Sequence, residues 1–168
     1  MKTLATLFLI AACAMNMPAR ASNDSCFDDK YLQKLQSKSQ QRGTLVYVWS
    51  PRMVYSMQNV AVAARAAAAA GLDFVALHDM RVPSNELLQV RQRITELPAQ
   101  MDLATPPFVS PLDSSLALCS QKLLEHEALR HFPTAFVITA RGMHPQPLVG
   151  AMPWGAWVSS IDQRLQQP

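Results

Sequence analysis

The stretch TLVYVW, Thr44 to Trp49, constrains this chain more than any other. It is continuous in β-branched and aromatic residues and has no alternating polar positions for a solvated face. Such a run is a strand covered on both sides, the kind found in the middle of a sheet. From Val54 through Ala70 follows an alanine-rich segment with Met57, Val60 and Val62, a strong helix former that stops at Gly71. DFVALHD then gives a second buried strand, Asp73 to His78. Two buried strands joined by a helical crossover of about twenty residues must run parallel, with a right-handed connection.

Other segments are arranged around that unit. In CFDDKYLQKLQSKSQQRG, Phe27, Tyr31, Leu32 and Leu35 recur at helical spacing, with acids early, bases late and Gly43 just past the end. A further helix is expected from Pro83-Ser84 through NELLQVRQRITEL, and a Pro-rich connection without periodicity covers 98–115. Leu116, Leu123, Leu124 and Leu129 predict another helix, capped by Asp113 or Ser114 and carrying Cys119. FPTAFVI is a third strand, ARGM a hairpin turn and PLVGA a fourth strand, with a closing helix from Trp154 to Leu165. The expectation is an α/β fold: a mixed sheet of about four strands between layers of helices. It has an extra N-terminal helical extension (22–43), a main domain (44–166) and an insertion at about 80–115.

Residues 1–21 read as an export signal. Lys2 starts it, Leu4 to Met15 is apolar, Pro18 breaks it, and Ala19-Arg20-Ala21 is a small-x-small cleavage site. The alternative is a lipobox at Ile10-Ala11-Ala12-Cys13, which would leave the protein lipid-anchored through Cys13. Periplasmic or secreted localisation follows from cleavage after Ala21, with no transmembrane segment in the mature chain. The leader holds Lys2 and Arg20 and no acids, so the remainder carries thirteen basic and twelve acidic residues. That balance makes no case for nucleic acid or an anionic membrane as partner. Cleavage also leaves two cysteines, Cys26 and Cys119, and an even pair in an oxidising compartment predicts a disulfide between them. Two unrelated thiols are the alternative.

Three local sequences, in order, resemble the thioredoxin-like superfamily over about Thr44 to Leu165. WSPRM lies where thioredoxins have Trp-Cys-Gly-Pro-Cys. FPTAFVI resembles the strand that opens with the family's cis-proline, and RGMHPQPLVGAMP with its helix resembles the family's final turn, strand and helix. The resemblance implies a thioredoxin-like three-layer sandwich. It also implies where the chemistry has gone, because the positions of the two redox cysteines hold Ser50 and Met53. Dithiol exchange needs a low-pKa thiolate and a second, resolving thiol; a hydroxyl and a thioether supply neither. What the resemblance leaves is a peptide-binding surface. A cis Pro133 turns the Phe132 backbone toward a groove for strand addition, flanked by Trp49, Ser50, Pro51, Met53 and Thr134 with Arg52 at the rim. The alternative is that Trp49 and Phe132 are core and the groove is vestigial.

Other constellations carry less. His126 and His131 in HEALRH are five apart, too far round a helix to act as the paired ligands of H-E-x-x-H. Met53, Met57 and His78-Asp79-Met80 offer soft ligands for copper, yet methionine is also a gap filler in cores. No phosphate loop, catalytic residue set, metal site or cofactor motif is expected. The sequence therefore reads as an exported, redox-inactive binding or assembly accessory factor of the bacterial cell envelope, of the kind serving a secretion or conjugation apparatus. Its expected partner is an envelope protein or extended peptide. A periplasmic thiol–disulfide oxidoreductase using Cys26 and Cys119, or a copper carrier, is the alternative.

Overall fold

A computed structural model describes residues 26–38, 42–79, 81 and 115–167. The export signal, Cys13, Met80, the helix expected after Pro83 and the Pro-rich connection up to 114 lie outside the described residues. Strand β1 (Cys26–Phe27) leads into α1 (Asp29–Lys38), then β2 (Thr44–Trp49), α2 (Val54–Gln58), α3 (Val60–Ala69) and β3 (Asp73–His78). After these come β4 (Ser115–Leu118), α4 (Gln121–Leu124), a 3-10 turn (Glu127–Arg130), β5 (Thr134–Thr139), β6 (Gly142–Met143), β7 (Leu148–Val149) and α5 (Trp154–Gln166).

The sheet runs β1-β4-β3-β2-β5-β6, and β7 also pairs with β5. β2 lies parallel to β3, in register from Thr44 opposite Asp73 to Trp49 opposite His78, and antiparallel to β5. Every residue of β2 is buried. Because side chains alternate along a strand, β2 divides its six between two cores. Leu45, Tyr47 and Trp49 join Ala63, Ala66, Ala67, Trp157 and Ile161 of α3 and α5 on one face. Val46 and Val48 join Phe27, Leu32, Leu123 and Leu129 on the other. β5 divides likewise, with Ala135 and Val137 toward α3 and α5, and Phe136 and Ile138 toward α1. The alanines of α3 let it sit close on the sheet. The result is the thioredoxin-like three-layer sandwich.

Several local expectations are corrected. Among the described residues the sheet has seven strands rather than about four, since short strands β1, β4, β6 and β7 extend it. The helix expected through Leu116–Leu129 is instead strand β4, a break at Cys119, the four-residue α4 and the 3-10 turn. α4 is capped by Ser120, whose hydroxyl accepts the Leu123 N–H, and not by Asp113 or Ser114. Phe27 belongs to β1, beside β4, and not to the helix that follows. The alanine-rich helix is two helices, separated at Asn59. At Gly43 the chain passes close to the sheet: a Cβ there would lie 3.0 Å from the Ile138 carbonyl oxygen and 2.7 Å from the end of the Leu72 side chain.

Cys26 and Cys119 form a disulfide. It ties the N-terminal arm to the end of β4, where the Cys119 N–H also donates to the Phe27 carbonyl at 3.0 Å. The Asp29 carboxylate adds a clamp by accepting from the Ser120 hydroxyl and the Lys122 N–H. Closing a loop across a separation of 93 residues removes unfolded-chain entropy worth about 4–5 kcal/mol in the loop-closure treatment. Burial of Phe27 and Leu32 contributes a further ~1.5–3 kcal/mol each, independent of the bond. Reduction is therefore expected to lower the denaturation midpoint by an amount equivalent to about 2–5 kcal/mol while the arm stays docked. Urea unfolding of the wild type with and without reductant, and of a Cys119→Ser variant, checks this. A midpoint that does not move would show the bridge to be energetically idle.

Candidate functional site

The C-terminal ends of β2 and β3 and the N-terminal end of β5 meet at one edge of the sheet. The parallel register sets Trp49 opposite His78, and the antiparallel register sets Val48 opposite Thr134. The chain leaves β2 through Ser50, Pro51, Arg52 and Met53, and α2 begins at Val54. Beside this elbow the Phe132–Pro133 peptide is cis, and the Pro133 carbonyl accepts the Gly150 N–H at 2.8 Å. Gly150 has φ +95°, the left-handed conformation glycine tolerates, which lets the chain leave β7 beside the proline.

A buried hydroxyl organises the elbow. Ser56 is fully buried, and its Oγ donates to the Met53 carbonyl at 2.6 Å with the Ser50 carbonyl 3.0 Å away. The same oxygen accepts the Ser50 N–H at 3.2 Å. The Met53 N–H closes the turn onto the Ser50 carbonyl at 2.9 Å. Beneath it, the Tyr47 hydroxyl donates to the Ser56 carbonyl at 2.7 Å, and burial pushes that phenol well above its ordinary range. Ser50 itself is buried, its Oγ near the Arg52 N–H at 3.4 Å. The elbow is thus held by neutral hydrogen bonds at the place where the resemblance expects a thiolate and its resolving partner. Ser50 and the thioether of Met53 give it no group that can exchange with a disulfide.

The expected contact residues separate into two sets. Trp49, Ser50, Pro51, Pro133 and Thr134 are buried and shape the site from below. Thr134 Oγ1 bonds back to the His131 and Ala128 carbonyls, at 2.7 and 2.9 Å. Arg52 and Met53 are exposed, and Phe132 is half-buried. Around them stand apolar residues that the sequence reading did not single out. Val54 is exposed, Tyr55 is 74% exposed and Trp154, at the start of α5, is 51% exposed. Val149 of β7, paired with Thr134, is exposed as well. Asn59 brings α5 here: its Oδ1 accepts the Trp157 Nε1–H at 2.6 Å, and its Nδ2 donates to the Met152 carbonyl at 2.9 Å.

A second polar group lies under the elbow. Trp49 Nε1–H donates to Ser115 Oγ at 3.0 Å, and Ser115 lies 3.2 Å from His78 Nδ1. With Trp49 as donor, the hydroxyl proton is free to point at a neutral His78. Burial lowers the His78 pKa, opposed by the nearby Asp79 charge. Of the residues weighed for copper, Met53 is exposed, Met57 is buried in the core and His78 is engaged by Ser115. His126 caps the 3-10 turn, accepting the Ala128 N–H, while His131 is exposed at its far end. Among the described residues, no buried side-chain nitrogen or oxygen lacks a hydrogen-bond partner. Two concavities, of about 170 and 240 Å³, are lined in part by Thr139 and by Thr44 and Asp73, at the opposite ends of the strands from the elbow.

No protein-family model and no curated protein matches this chain. Solved structures do resemble it. An exposed lipoprotein thioredoxin from Streptococcus pneumoniae is 18% identical, with a TM-score of 0.47 over 76% of this chain and 89% of that one. A secreted disulfide oxidoreductase of Mycobacterium tuberculosis is 12% identical, with a TM-score of 0.44 over 75% and 84%. A DsbF homologue from Corynebacterium diphtheriae is 10% identical, with a TM-score of 0.47 over 75% and 74%. Among the described residues, no helix is long and apolar enough to cross a membrane.

Two outcomes test the site's construction. Ser56→Ala strands the Ser50 N–H in the interior, so it is expected to destabilise the protein by about 1–3 kcal/mol in denaturant unfolding. A loss below a few tenths would mean that water takes the place of the hydroxyl. For His78, the folded pKa is below the unfolded value, so the unfolded chain binds more protons as pH falls through about 6.5. Stability is therefore full above that pH and declines below it. His78→Gln should flatten this part of the stability–pH curve, measured by thermal unfolding between neutral and mildly acidic pH.

Proposed function

We propose that this chain is an exported, redox-inactive thioredoxin-like protein of the bacterial cell envelope that holds an extended segment of a protein partner on its elbow face, as an accessory to assembly. One observation carries the reading. Six large hydrophobic side chains are exposed among the described residues, and five of them (Met53, Val54, Tyr55, Val149 and Trp154) belong to the elbow, to β7 beside the cis-proline or to the start of α5. Single exposed apolar residues are ordinary on a protein surface, but a cluster around one structural feature marks a contact surface. Tyr and Trp are the side chains that most often anchor such contacts.

The rigidity of the elbow supports recognition over chemistry. A binding face gains from groups already fixed before the partner arrives, since less ordering is left to oppose association. Ser56, Tyr47 and Asn59 fix this face from within. The redox pair of the alternative reading, Cys26 and Cys119, closes the N-terminal arm onto β4, with Cys26 opposite Ala117, and stands apart from the elbow in sequence and in sheet order. Its position supports a staple.

Two measurements test the proposal. The purified protein should not accelerate reduction of insulin by dithiothreitol, and removing both cysteines should change nothing; catalysis lost with either cysteine sinks the redox-inactive reading. Capture from envelope extract should recover a partner that Tyr55→Ala or Trp154→Ala loses by about tenfold, as expected for one anchor worth 1.4 kcal/mol or more. Recovery unchanged in both variants moves the contact elsewhere.

A further inference from the structure

The elbow face has an electrostatic side that the apolar cluster does not explain. Asp79, at the end of β3, is only 5% exposed, and its Oδ1 accepts both the Arg81 N–H at 3.1 Å and the Arg81 Nε–H at 2.8 Å. Arg81 Nη2 faces the Leu129 carbonyl at 3.5 Å, and Cζ lies 5.9 Å from the centroid of the Phe132 ring, next to the cis-proline. The arginine side chain is nevertheless 57% exposed. A guanidinium has five N–H donors in a fixed plane. Asp79 takes one side-chain donor and Leu129 faces a second, which leaves three without a hydrogen-bond partner among the described residues, on a group already held in place. Holding that side chain still before a ligand comes is what makes a fork of this kind selective for a planar carboxylate.

The surroundings have the same sign. Arg130 is exposed beside Phe132. The Asp79 carboxylate is buried and engaged. Arg130 has a contact with Glu127 that is long, at 4.0 Å, and open to water; such a pair is worth little. Among the described residues, Arg81 and Arg130 therefore make the border beside Phe132 cationic.

We infer that the segment held on this face is acidic: an Asp or Glu side chain of an extended partner chain, lying beside Phe132 and Pro133, bonds through both carboxylate oxygens to the outer edge of Arg81. Apolar side chains flanking that acid pack on Met53, Tyr55 and Trp154. This inference rests on the proposed binding role of the elbow face and adds the partner's charge. It makes Arg81 the residue that selects the partner and Asp79 the residue that positions Arg81.

The test uses the intact disulfide-bonded protein and a random-peptide display library, followed by fluorescence polarisation with single synthesised peptides. The selected peptides are expected to combine an acid with apolar neighbours. Changing that acid to its amide should weaken binding to the wild type by about tenfold or more and to Arg81→Gln by less than about twofold. Arg81→Lys, which keeps the charge but loses the fork, should fall between the two. The acid-to-amide change is made in the peptide, so it reads out even if a protein variant folds poorly. Peptides that need Tyr55 and Trp154 yet bind equally well as acid and amide overturn the acidic partner and leave the binding face standing. If no selected peptide responds to Tyr55→Ala or Trp154→Ala, both readings fall.

Discussion

The pairing of β2 between β3 and β5 is the constraint on which the rest of the molecule depends. All six residues of β2 are buried, three toward each core, so a slip of one residue would exchange Tyr47 and Trp49 with Val46 and Val48. With register fixed in this way, the ends of three strands have to meet at one edge. The turn after Trp49, the carboxylate after His78 and the proline before Thr134 become neighbours although they lie far apart in sequence. The place of the exposed apolar cluster is thus a consequence of strand register. Residues that never reach the surface, above all Tyr47 and Trp49, determine where the exposed ones stand.

Much of this was legible in the chain, for a physical reason. Long buried strands and alanine-rich helices advertise themselves by composition and period, and β2, β3, β5 and α5 lie where those signals put them. Short elements do not. Leu116 and Leu118 of β4 fit a period of two, but with Leu123, Leu124 and Leu129 downstream a helical pattern fits as well. Only pairing with β1 and β3 decides for a strand, and that is a tertiary fact. The break at Asn59 is similar. Asn59 is a weak helix former, and its side chain bonds Met152 and Trp157, more than ninety residues away.

The site was half legible. The residues of the elbow and the cis-proline were found through the resemblance, but which of them face out was not, because a turn has no period from which to read a face. Trp49 and Met53 both looked like contact residues, and only burial separates them. Tyr55 and Trp154 passed for the hydrophobic positions of helices. Arg81 had a local signal, an acid two residues before it in Asp79, yet its neighbour Phe132 comes from the far side of the sequence.

A turn that holds Ser50 and Met53 works under constraints different from those of a thiolate. A thiolate must be reachable and must be stabilised as an anion, so a catalytic turn keeps polar donors and solvent close to its first residue. Here Ser50 is buried and its N–H is satisfied by Ser56, so the turn carries its hydrogen bonds inside. Such an inversion costs nothing when the partner is held by contact. Apolar anchors gain most when water is excluded from around them, and charges do best at the border, where they stay partly hydrated and steer approach. In the proposed role, Met53, Tyr55 and Trp154 serve as anchors, and Arg81, 5.9 Å from the Phe132 ring centroid, serves as a border charge.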